Sequence, residues 1–96
     1  MQEEKIMTLH PEGKQGVNIS KAKYDEMRRE ILSVLSTTPE LTFKELANLL
    51  KIGMPDFEGS IMWYLTTVKL DLEARGKIIR LKVKGAQRLK LADTPL

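Results

Sequence analysis

Between Glu73 and Asp93 the chain carries seven basic residues, Arg75, Lys77, Arg80, Lys82, Lys84, Arg88 and Lys90, and no acid. Ammonium and guanidinium groups at that density bind anions, phosphate above all, and they exceed what lysine protection of a sheet edge requires. Arg80, Lys82 and Lys84 alternate with Ile79, Leu81 and Val83, and Arg88 and Lys90 alternate with Leu89 and Leu91. A period of two is that of a half-buried strand, so the run is expected to be a β-hairpin broken at Gly85-Ala86-Gln87. A three-residue loop there opposes Lys84 to Arg88, Val83 to Leu89, Lys82 to Lys90 and Leu81 to Leu91. That register gathers Arg80, Lys82, Lys84, Arg88 and Lys90 on one outward, wholly basic face.

Other chemistry is sparse. The absence of cysteine removes disulfides, thiolate metal sites and thiol nucleophiles. His10 is the only histidine, beside Pro11, and one histidine without cysteine makes no metal cluster. Asp71 and Glu73 project in different directions from one helix and form no acid/base pair. Gly13-Lys14-Gln15-Gly16 has the spacing of a G-x-x-G loop but lacks a preceding helix, and it falls short of the P-loop pattern. A local turn is the expectation. No catalytic residue, metal or cofactor is therefore expected, and the chain does not read as an enzyme.

The elements that must position the basic run follow from capping and periodicity. Ser20 is an N-cap candidate for a helix over 21–36, with Tyr24, Met27, Ile31, Val34 and Leu35 on one stripe. Thr37-Thr38-Pro39 ends it. Thr42-Phe43-Lys44-Glu45 is a capping box opening a short second helix whose inward candidates are Phe43, Leu46, Ala47, Leu49 and Leu50. Gly53-Met54-Pro55 stops that helix. A third begins at Asp56 or Ser60 and runs to Arg75, with Phe57, Ile61, Leu65, Val68 and Leu72 as its core stripe. Gly76 can take the left-handed conformation that closes it.

At 96 residues, 42% apolar and 30% charged, this is one domain with a modest core. Residues 1–19 are expected to be an irregular arm, residues 20–92 the folded domain and 93–96 a short tail. No segment approaches ~20 apolar residues and nothing in 1–19 resembles a signal peptide, so a cytoplasmic protein without membrane contact is expected. A net charge of +3, polarised toward the C-terminal hairpin, suits an anionic surface.

Three helices, a short capped second one, a longer third and a basic hairpin resemble the winged helix-turn-helix superfamily. Leu65, Val68, Leu72, Gly76 and Ile78 look like the recognition helix and the start of the wing of small bacterial regulators. The resemblance implies an α+β fold, with three helices followed by a two-stranded β-hairpin wing and Leu41-Thr42 as a small strand before helix two. The whole chain, including residues 13–19, also looks like a small bacterial family without assigned function. From the first resemblance follows the leading expectation, a DNA-binding protein and small transcriptional regulator. Its wing, through Arg80, Lys82, Lys84, Arg88 and Lys90, would contact duplex DNA, with Thr66, Thr67 and Lys69 of helix three nearby. Dimerisation is expected by analogy. The alternative is a protein-interaction or dimerisation module of the same fold, without nucleic-acid binding, that uses Met62, Trp63 and Leu70. Trp63 lies outside the core stripe, and cover by the N-terminal arm (Leu9, Val17 or Ile19) or by a second copy is its expected fate.

Overall fold

The computed structural model describes residues 4–92; the expected tail at 93–96 lies outside them. The fold is α+β, with three helices and two small sheets. Strands stand before and between the helices as well as after them. Strands β1 (Lys5–Met7) and β2 (Asn18–Ser20) pair antiparallel, Ile6 opposite Ile19. The N-terminal region is thus a hairpin with a long loop rather than an irregular arm. Helix α1 (Lys21–Thr37) follows, then β3 (Leu41–Thr42), α2 (Phe43–Gly53) and α3 (Ile61–Ala74). The chain closes with β4 (Ile78–Val83) and β5 (Ala86–Leu91), which with β3 form a sheet in the order β3-β5-β4.

Local chemistry places the helix ends. The Ser20 hydroxyl accepts from Lys23 N–H at 3.3 Å and that of Ser60 from Trp63 N–H at 3.1 Å, so Ser60 rather than Asp56 caps α3. The capping box is complete: Glu45 N–H donates to Thr42 Oγ1 at 3.1 Å and Thr42 N–H to Glu45 Oε1 at 2.9 Å. Such caps contribute about 1 kcal/mol each. Gly76, at φ +74, ends α3 with paired bonds, Gly76 N–H to Glu73 O (3.1 Å) and Lys77 N–H to Leu72 O (2.9 Å). These are the two bonds of a Schellman terminus, which satisfy carbonyls the helix would otherwise leave open.

One core joins every layer: Met27, Ile31 and Leu35 of α1, Leu46 and Leu50 of α2, Leu65, Val68 and Leu72 of α3, and Ile78 and Leu89 of the sheet. Ile19 of the arm belongs to it, whereas Leu49, expected inside, faces solvent. The loop between β1 and β2 closes tightly on itself. Thr8 N–H donates to Val17 O at 2.8 Å and Val17 N–H to Thr8 Oγ1 at 2.9 Å. A Cβ on Gly16 would sit 1.8 Å from the Thr8 carbonyl oxygen, so only glycine fits there.

Candidate functional site

The C-terminal hairpin turns at Lys84-Gly85, not at Gly85-Ala86-Gln87. Both residues have positive φ, 52° and 82°, the requirement of a two-residue type I′ turn. The pairs are Val83 with Ala86, Lys82 with Gln87, Leu81 with Arg88, Arg80 with Leu89, Ile79 with Lys90 and Ile78 with Leu91. The expected register, and with it the single basic face, is therefore incorrect. Opposed residues share a face, so Arg80 and Lys82 lie on the side of Ile78, Leu89 and Leu41, while Arg88 and Lys90 lie on the other with Ile79 and Leu81. The physical reason is Ile78-Ile79: two adjacent apolar residues fit either phase of the alternation. The core takes Ile78, leaving Ile79 36% exposed.

The outcome is a ribbon with cations on both faces. Strand β3 pairs only with Arg88 and Leu89, so residues 82–87 extend past the three-stranded part. Lys82 and Lys84 are exposed there, and among the described residues neither has an acid at ion-pair distance. Toward the base, acids from elsewhere in the chain meet the run. Arg80 Nε stands 3.6 Å from Glu73 Oε1. Glu45 is held below the ordinary carboxylate range by its capping bonds to Thr42, with Arg88 adding a small Coulombic contribution.

Helix α3 offers anions less. Lys69, expected on its solvent face, is 9% exposed. Its ammonium is 2.7 Å from Glu73 Oε2, off the line of a hydrogen bond, and 5.9 Å from the Phe43 ring centroid. Lys69 is thus committed to an ion pair one helical turn along, a spacing visible in the sequence. Thr66 is exposed but its hydroxyl donates to Met62 O at 2.8 Å, and Thr67 is half-buried. Met62 and Trp63 are 41% and 47% exposed. The arm does not cover Trp63; one edge of its ring meets Tyr64, centroids 4.9 Å apart. The arm docks farther along α3, where Thr8, Leu9, His10, Gln15, Gly16 and Val17 line a pocket of about 90 Å³ with Thr67 and Leu70.

A second arrangement is signalled in the sequence only by Arg75, four residues after Asp71. Asp71 is fully buried and gathers three donors from three parts of the chain. Leu9 N–H donates to Oδ1 at 2.8 Å, Arg75 Nε donates to Oδ2 at 2.8 Å, and the Tyr24 hydroxyl donates to Oδ2. A carboxylate so satisfied is a structural tie between arm, α1 and α3. Burial, then the bond to Asp71, pushes the Tyr24 hydroxyl up from 10.0 to about 12. A raised pKa contributes stability that is whole below the unfolded value and lost as pH climbs through the folded one. Urea titrations should show unfolding free energy falling between about pH 10 and pH 12 in the wild type. Tyr24→Phe should show a flatter profile over that window, and equal slopes would exclude Tyr24 as the titrating group.

Among the described residues, no group of histidine and acidic side chains could hold a metal ion, and no helix is long and apolar enough to cross a membrane. Residues 5–89 match the model of a family of unknown function, DUF6958. The chain belongs to that family. The match to DUF6958 spans the β1–β2 hairpin, all three helices, β4 and most of β5. No curated protein and no solved structure matches the chain.

Proposed function

We propose that this is a cytoplasmic nucleic-acid-binding protein of winged-helix type that grips the phosphates of duplex DNA with the β4–β5 ribbon, in keeping with a small transcriptional regulator. The observation that carries the reading is the projecting tip, where Lys82 and Lys84 are exposed, make no ion pair among the described residues, and are flanked by cations on both faces. A two-stranded ribbon fits the major groove, whose walls are two phosphate strands. Cations on both faces let the ribbon tip meet phosphates with whichever face it turns to the duplex. Helix α3 is assigned a lesser part, because its exposed surface has threonines and apolar groups where base readers are usually arginine, lysine, asparagine or glutamine.

The test is fluorescence anisotropy of a mixed-sequence duplex titrated with the protein at two salt concentrations. Micromolar binding is expected at low salt. With three phosphates engaged, the slope on a log–log plot is about −2.7, so affinity should fall about 40-fold from about 50 to about 200 mM salt. No binding at the lower salt, or binding indifferent to salt, would refute the reading.

The exposed Met62 and Trp63 favour a protein contact at a separate surface, and that surface has a more definite geometry than exposure alone.

A further inference from the structure

We propose that α3 is the interface of a two-fold symmetric homodimer, in which Trp63 of each copy inserts beside Leu70 of the other. Trp63, Thr67 and Leu70 are spaced four and three residues apart, which puts them on one stripe of the helix. The stripe holds a projection at one end, the half-exposed indole of Trp63. It holds a recess at the other, the pocket of about 90 Å³ between Thr67 and Leu70 and the arm's Leu9, His10 and Val17. An isologous interface requires that one patch carry both a shape and its complement. If two α3 helices cross antiparallel with the axis between Thr66 and Thr67, Trp63 of one lies opposite Leu70 of the other, and the reverse holds by symmetry. The residues at the crossing point are then threonines, small enough for helix axes to approach to the usual ~8–10 Å.

Size and charge agree with this occupant. At ~30 Å³ per water, the pocket has room for roughly three waters, enough for the leading edge of an indole. Leu9 and Val17 stand exposed on its rim and would close over the inserted ring. The stripe Trp63, Thr66, Thr67, Leu70 and the rim residues Leu9 and Val17 carry no formal charge. Two copies of a chain with net charge +3 can meet there without opposing like charges, while the basic ribbons remain outside the contact. The inference is independent of nucleic-acid binding and is tested without DNA.

Sedimentation equilibrium of the wild type should give twice the 11.0 kDa chain mass at tens of micromolar protein, as a rough scale. Because Trp63 is the only tryptophan, its emission should shift to the blue and lose quenching by iodide as concentration rises. Trp63→Ala and Leu9→Glu, both at exposed positions, should each sediment as monomers with wild-type far-UV circular dichroism. The chain has no cysteine, so Thr66→Cys supplies a single thiol near the proposed axis and should form a disulfide-linked dimer on mild oxidation. Asn48→Cys on α2 should not. A wild type that stays monomeric, or a dimer unaffected by both Trp63→Ala and Leu9→Glu, would overturn the proposal. So would oxidation of Asn48→Cys as readily as Thr66→Cys.

Discussion

Lys82→Glu, Lys84→Glu and Arg88→Glu combined should cost the protein at least ~100-fold in affinity for duplex DNA at low salt while leaving its circular dichroism unchanged. Every phosphate that is no longer neutralised takes about 0.9 off the salt slope, so the residual binding should also be nearly flat with salt. Reversal goes further than deletion, because three carboxylates at the ribbon tip repel the same phosphates. The fold should tolerate it: Lys82 and Lys84 are exposed and make no ion pair among the described residues, and Arg88 is half-buried on the sheet face away from the core. Thr66→Ala with Thr67→Ala is the informative companion. Near-wild-type affinity is expected for it, since that stretch of α3 presents no cation. Unchanged affinity in the triple variant would remove the ribbon as the contact surface.

Asp71→Ala should lower unfolding free energy by about 2–4 kcal/mol, the scale for leaving buried donors without their acceptor. It strands the buried Tyr24 hydroxyl and the Leu9 amide, while the exposed Arg75 guanidinium turns to water. For a domain of this size the loss corresponds to a fall in Tm of at least ~8 °C. Asp71→Asn keeps an acceptor oxygen and should recover part of it. Urea unfolding of both variants checks the ranking; a cost under about 1 kcal/mol for Asp71→Ala would mean that the tie is dispensable. Limited proteolysis adds a local readout, with faster cleavage in the loop between β1 and β2 expected for Asp71→Ala.

The sequence makes legible whatever is settled within a few residues. Ser20, the Thr42–Glu45 box and Gly76 mark helix ends because a cap bonds to backbone three or four positions away. The stripes through Met27, Ile31 and Leu35 and through Leu65, Val68 and Leu72 are equally visible. Sequence reasoning fails where distant chain decides. Whether Ile78 or Ile79 faces inward depends on where the core ends, and one position exchanges the faces of Arg80 and Lys82. Asp71 looks like decoration on a helix because its partners Tyr24 and Leu9 lie 47 and 62 residues away. Lys69 is the case where a local signal exists: Glu73 four residues on marks it as half of an ion pair before it can be a free cation.

The Asp71 tie also bears on how long a molecule stays folded. Its bonds to Leu9 and Tyr24 close loops of 62 and 47 residues, and a contact of such separation forms only after nearer ones have shortened the path. The caps and the β4–β5 turn can form early; the arm latches after α1 and α3 have met. Interactions that form beyond the folding barrier govern the rate of escape from the native state, not the rate of reaching it. Residues 4–20 are therefore expected to act as a kinetic lock: loosening them with Asp71→Ala should speed unfolding and leave the folding rate nearly unchanged.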